Sequence, residues 1–255
     1  MQAFLAPLNE LADYQEIRKE RKKEAGFVQI SGCVNSQKTH LMYALSDGFE
    51  YKIIAFSSEE KAKEAYEEYR FLDENVFLYP AKDLLFYQAD IQGSLLVSRR
   101  MEVIRAIVEK EMSQSITVIT TIDAFLDGLP SPDEILKRRI CISNADSVDF
   151  TALQKRLSQL QYEREEQIQG PGQFAVRGGI LDVYPLTEEL PVRIELWGDE
   201  IDSIRTFDVE SQRSIENLER IVIYPAKEKK EEKGRNVSFL EYFPKKNSLL
   251  FLDEP

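Results

Sequence analysis

Apolar positions in the first half of the chain fall into short runs separated by stretches of helical spacing, the pattern of a parallel α/β sheet. The runs predict strands at 26–31, 51–56, 76–79 and 116–120. Between them, apolar residues three and four apart predict helices at 38–46, 58–72 and 95–112, the second opened by a Ser57 or Ser58 cap. The resulting order is β-α-β-α-β-α-β. Residues 80–93 fit neither period and read as a loop carrying Phe86 and Tyr87.

Gly128, Pro130 and Pro132 punctuate the chain and mark a domain boundary. Beyond it a helix at 149–160 precedes short β-type segments at 174–176, 180–185, 192–197 and 201–208. Gly178-Gly179 and Gly198-Asp199 lie at hairpin distance between consecutive runs, so a small antiparallel meander packed on one helix is expected, an α+β module. Residues 221–224 and 248–252 return to an α/β pattern, with a polar loop at 227–235 between them. An apolar strand that closes on Asp253-Glu254-Pro255 reads as part of a longer protein.

Composition narrows the function classes. With 255 residues, of which 43% are hydrophobic, the chain has material for a core in one large or two smaller domains. Its 33 Lys and Arg stand against 45 Asp and Glu, a net charge of −12. Nucleic-acid affinity rests on cations that displace condensed counterions, so an acidic chain argues against free DNA as the main ligand. The basic run 18–23 is interleaved with Glu20 and reads as a solvated helix end. No apolar run approaches the ~18 residues of a membrane span, and the first residues lack the pattern of a secretory signal. Cys33 and Cys141 stand apart, without Cys or His companions at ligand spacing, so neither a disulfide framework nor a structural metal is expected. Reduced thiols in a cytoplasmic protein are the expectation.

Gly32-Cys33-Val34-Asn35-Ser36-Gln37-Lys38-Thr39 follows an apolar run and opens a helix, the context of a G-x-x-x-x-G-K-[ST] phosphate loop. One position departs. The second glycine, which permits close backbone approach to phosphate, is Gln37. Lys38 and Thr39 keep the groups for phosphate and Mg²⁺ contact, but the cradle is damaged, and the loop reads as a relic of a nucleotide-binding ancestor. The Asp253-Glu254 pair resembles the Mg²⁺-binding acids of a P-loop ATPase and serves equally as a strand-end acidic turn. His40, the one histidine, has no Ser or Cys pairing and reads as a helix-surface residue.

In the segment 192–197, strand alternation turns Ile194 and Leu196 to one face and Arg193, Glu195 and Trp197 to the other. Arg177 precedes the Gly178-Gly179 turn, and Arg164 lies just before the sheet. Arginines on a rigid sheet suit bidentate contacts to a partner's carboxylates. From spacing alone they serve intramolecular cross-strand ion pairs at least as well. Residues 162–213 contain arginines, no lysine and an excess of acids, a patterned surface suited to a charged protein partner.

Gly170-Pro171-Gly172-Gln173-Phe174-Ala175-Val176-Arg177-Gly178-Gly179-Ile180-Leu181-Asp182-Val183-Tyr184-Pro185, with the runs 191–205 and 207–214, resembles the N-terminal, UvrB-like region of bacterial transcription-repair coupling factors. The likeness is close over 160–225 and collinear elsewhere. It implies a helicase-like (P-loop type) parallel-sheet α/β domain, split in sequence, with an inserted small α+β antiparallel domain. The expected boundaries are 1–123, 124–209 and 210–255. The resemblance implies a non-catalytic module that binds UvrA, recruits it to stalled RNA polymerase in nucleotide excision repair, and also contacts the parent's own C-terminal region in autoinhibition. ATP and Mg²⁺, double-stranded DNA and RNA polymerase would belong to the parent translocase, whose motor motifs would lie beyond residue 255; no cofactor is implied for this segment. Carried over by motif, the UvrA-facing residues are Arg164, Arg177, Arg193 and Glu195. Ala175 departs from the related excinuclease UvrB, which typically has an Arg there. A fragment of UvrB itself, a damage-binding ATPase, is the alternative, opposed by Gln37 and by the short 80–93 loop.

Overall fold

The computed structural model describes residues 2–20, 27–33, 36–82, 90–111, 114–144, 146–227 and 236–253. In chain order the elements are α1 (Gln2–Asn9), α2 (Ala12–Glu20), α3 (Ser36–Leu45), β1 (Tyr51–Phe56), α4 (Glu59–Tyr69), β2 (Val76–Tyr79), α5 (Asp90–Val108) and β3 (Ile116–Thr121). A 3₁₀ turn at Asp123–Leu126 leads to α6 (Pro132–Arg138), β4 (Ile140–Ser143), α7 (Phe150–Gln159) and β5 (Glu163–Arg164). There follow β6 (Gln173–Arg177), β7 (Ile180–Val183), β8 (Val192–Trp197), β9 (Glu200–Phe207), β10 (Ser214–Asn217), β11 (Arg220–Ile223), a second 3₁₀ turn at Phe239–Tyr242, and β12 (Ser248–Asp253).

The first layer is a parallel sheet in the order β12-β1-β3-β2. Its strands are apolar almost throughout because both faces are covered. Ile53 and Val118 turn toward Met101 and Ile104 of α5, while Ile54 and Ile119 pack with Ala62 and Tyr69 of α4. Helix α4 starts where expected: Ser58 accepts from the Lys61 amide, with Glu59 and Glu60 in the positively polarised first turn. Tyr14 of α2 donates to the Ala44 carbonyl of α3, and these helices share a small core with Phe251 of β12.

The strand expected at 26–31 is not formed. Residues 27–31 carry no strand, and residue 26 lies outside the described residues. Phe27 is 88% exposed, and Val28 and Ile30 are partly exposed. An extended apolar run needs a neighbouring strand to pair its backbone, and among the described residues the free edge of β12 carries none. The first strand of the expected order is therefore missing among the described residues, while the helix that should follow it forms as α3. In the expected 80–93 loop, helix α5 already begins at Asp90, and 83–89, with Phe86 and Tyr87, lie outside the described residues, as do 228–235 of the polar loop.

The second layer is the six-stranded sheet β10-β9-β8-β7-β6-β5, antiparallel except for the β5/β6 pair. Its inner face, with Phe174, Val183, Val192, Leu181, Ile194 and Ile204, packs against Leu153 and Leu157 of α7. Strand β10 pairs with β9, and β11 pairs with β4, so sheet structure of the inserted module runs past residue 209 to residue 223. The segment that leaves the parallel sheet toward this module is fixed by a buried arginine. Arg100 of α5, fully buried, donates to the Pro80 carbonyl, meets Asp127 Oδ2 at 2.9 Å and lies 4.3 Å above the Tyr79 ring.

Candidate partner-binding face

The outer face of the six-stranded sheet is built by two tight turns. Gly178 takes φ +61, so the chain reverses between β6 and β7 in two residues and sets Arg177 opposite Ile180. That register places Ala175 beside Asp182, Asp182 beside Arg193, and Arg193 beside Arg205, one row of outward positions across four strands. The next row is Arg177, Ile180, Glu195 and Ser203.

Charge along these rows is largely satisfied within the sheet. Arg193 grips Asp182 with both arms, Nε to Oδ1 at 2.7 Å and Nη2 to Oδ2 at 2.9 Å. Its Nη2 also donates to Gln212 Oε1 at 2.8 Å, and its guanidinium lies 4.4 Å over the Phe207 ring. The carboxylate beside it raises the Arg193 pKa above its ordinary value. Arg193 and Arg205 are like charges directly opposite, an arrangement that costs energy unless each has its own counter-ion. Arg205 takes Glu195 as that partner, and the Ser203 hydroxyl donates to Glu195 at 3.4 Å.

Arg177 is placed differently. Its side chain is 51% exposed, and Asp182, its ion-pair partner here, lies at 4.0 Å. Most of its donors therefore face outward. Arg164 is exposed on the edge strand β5, but its register partner is Phe174, which turns it to the opposite face from Arg177. Of the four expected residues, the structure brings Arg177, Arg193 and Glu195 together on one face and sets Arg164 at the rim. Ala175 is buried against Ile168 and Phe207 beneath the same face.

Asp182 is the residue that sequence reasoning missed. It is 3% exposed and joins Arg193 to Arg177. The turn at Gly178 fixes its outward direction, a signal that was present in the sequence; its pairing with Arg193 depends on the longer β7–β8 connection. Gln212, at φ +58, is a second unforeseen contributor.

The segment that resembles a phosphate loop lies at the other layer. Gly32 keeps φ +85, residues 34 and 35 lie outside the described residues, and Gln37 sits exposed in the first turn of α3. Lys38 Nζ is 2.8 Å from Asp253 Oδ1, and Thr39 Oγ1 donates to Glu68 Oε2 at 2.7 Å. The two groups that would meet phosphate and Mg²⁺ are thus turned to carboxylates of the chain itself, and a Gln side chain stands where a phosphate loop needs none. His40 lines a mainly apolar hollow of about 400 Å³ with Phe71 and Leu72.

A module of antiparallel strands wrapped on one helix, with an ion-paired outer face, is the kind of structure these residues define. Residues 140–228, from β4 through β11, match the family described as the UvrB interaction domain. Among curated proteins, the chain is similar to the transcription-repair-coupling factor of Bacillus subtilis (strain 168), 38% identical over 166 residues, which is 64% of this chain and 14% of that protein. The same factor of Staphylococcus epidermidis (strain ATCC 12228) is 34% identical over 154 residues, 60% of this chain and 13% of that protein. That of Staphylococcus aureus (strain Mu50) is 33% identical over 159 residues, 62% of this chain and 13% of that protein. The matches thus span 13 to 14% of the length of these relatives. They bear out the resemblance to the UvrB-like region of transcription-repair coupling factors.

Proposed function

We propose that this chain is a non-catalytic module of a transcription-repair coupling factor, and that the outer face of its six-stranded sheet binds UvrA. The observation that carries the reading is the coincidence of the UvrB interaction domain match with a face that holds Arg177 half-exposed on a rigid, ion-paired frame. The contact set is Arg164, Arg177, Arg193 and Glu195. Arg177 reaches a partner's carboxylates directly, and Arg164, on the edge strand β5 and turned to the other face, joins it where the partner wraps the rim. Arg193 and Glu195, already paired, hold the frame that aims Arg177, so that little side-chain entropy is lost on binding.

In the parent protein this module recruits UvrA to stalled RNA polymerase in transcription-coupled nucleotide excision repair. The same face contacts the parent's C-terminal region and restrains it until polymerase is engaged. ATP hydrolysis and movement on double-stranded DNA belong to motor segments outside residues 1–255. The carboxylates that engage Lys38 and Thr39 support a relic phosphate loop, and with it a module that takes no nucleotide of its own.

Calorimetric titration with purified UvrA, without nucleotide, tests the reading. Binding that weakens with rising salt and falls about tenfold in Arg177→Ala is expected. A correctly folded chain that shows no heat with UvrA, or binds Arg177→Ala as tightly as the parent chain, overturns the assignment of this face.

A further inference from the structure

Trp197, the one tryptophan of the chain, stands 83% exposed at the end of β8. Strand alternation puts it on the outer face, two residues beyond Glu195 and at the same end as Arg177. The adjacent turn offers no side chain to cover it. That turn is Gly178-Gly179: the position of a Cβ on Gly178 has no atom within 4 Å, and a Cβ on Gly179 would come within 2.8 Å of the Leu196 carbonyl oxygen. The two glycines therefore add no side chain to this end of the face.

The backbone that carries the indole is held in place. Its hairpin turn has Gly198 at φ +64 and is pinned to the segment before α7, where Val148 N donates to the Asp199 carbonyl at 2.7 Å and Ser147 bridges Glu200. Leu196 N donates to the Gly179 carbonyl at 2.9 Å on the other side. A large apolar ring, presented to water on an anchored hairpin beside an arginine with outward donors, has the properties of an interface anchor: much contact area and little freedom to lose.

Resting on the proposed UvrA-binding face, we infer that Trp197 is its apolar anchor and enters a socket on UvrA that is apolar within and carboxylate-rimmed, the rim meeting Arg177. Arg177 supplies the charge match and Trp197 the buried area. The exposed Phe71, at 86%, follows α4 in the other layer and takes no part.

The test uses the chain with 5-fluorotryptophan at its single Trp position, titrated with unlabelled UvrA. The ¹⁹F resonance is expected to shift on complex formation. By calorimetry, Trp197→Ala is expected to weaken binding roughly 30-fold, as for a central anchor. Trp197→Phe is expected to stay within about fivefold, and Phe71→Ala to match the parent chain. The exposed position keeps these variants folded, and circular dichroism verifies it. If UvrA binds the parent chain with the resonance unmoved and binds Trp197→Ala equally well, the anchor is overturned while the face stands. Equal loss in Phe71→Ala also overturns it, since the apolar contact would then be unspecific. Failure of UvrA to bind the parent chain removes the face and the anchor together.

Discussion

Asp182 and Arg193 meet fork to fork across β7 and β8, and the same carboxylate lies 4.0 Å from Arg177. One buried acid thus anchors a fixed arginine and orients a half-exposed one. This arrangement separates residues that hold the face from residues that reach beyond it.

Arg193→Ala leaves the nearly buried Asp182 carboxylate with only the more distant Arg177. Removing one partner of a buried pair costs about 3 kcal/mol or more. Urea denaturation should show that loss in the midpoint, with the slope unchanged. A cost below about 0.5 kcal/mol means that the pair does not hold the sheet.

Arg177→Ala behaves in the opposite way. Its side chain is half exposed, so stability stays within about 0.5 kcal/mol of the parent chain, while UvrA affinity falls about tenfold, or ~1.4 kcal/mol. Measured together, unfolding and binding distinguish the two arginines; equal effects on both quantities in both variants would remove the distinction.

Glycine at position 37 is expected to confer no nucleotide binding. In Gln37→Gly, Lys38 still faces Asp253 and Thr39 still donates to Glu68, so calorimetry with ATP and Mg²⁺ should remain flat. Saturable heat in this variant would show that Gln37 alone closes the site. Lys38→Met, which breaks the tie between α3 and β12, should instead lower the melting temperature.

Asp208 gives the outer face a dependence on acid. Hydrogen bonds from the Ser211 hydroxyl and amide hold its carboxyl below the ordinary aspartate value. A group depressed in the folded state contributes its stability in full above the unfolded value of about 3.9, and loses it as pH falls through the lower folded value. The turn it closes carries Gln212, which in turn holds Arg193. Asp208→Asn should therefore flatten part of the stability loss below pH 4, read as the difference in urea midpoints at pH 5 and pH 3. Parallel loss in both chains would exclude Asp208 as the cause.

Much of this architecture was readable from patterning. The strands Tyr51–Phe56, Val76–Tyr79 and Val192–Trp197 coincide with the expected ones, because each is a run of strand period or doubly buried type bounded by turn residues. The run at 27–31 failed for the reason that apolar character alone does not make a strand; a pairing partner does. The site was legible in part. Alternation gave Arg193, Glu195 and Trp197 their common face, and the tight Gly178-Gly179 turn sets the register of Asp182. What no spacing rule reveals is that Arg193 and Arg205 stand opposite one another and must each take a carboxylate, because that follows from two successive hairpin registers and a bulge in β9.

The position of β12 also sets an order of assembly on the ribosome. Glu50 and Asn247 are hydrogen bonded across 197 positions, and every β1–β12 contact closes a loop of that size, whereas each hairpin of the inserted sheet closes over a few residues. Local closures form fast and distant ones slowly. The six-stranded sheet can thus be complete while the edge of β1 still waits for its partner, and the segment that docks last is the one carrying Asp253. During that interval β1, an apolar strand with an open edge, is the part of the nascent chain most in need of a chaperone.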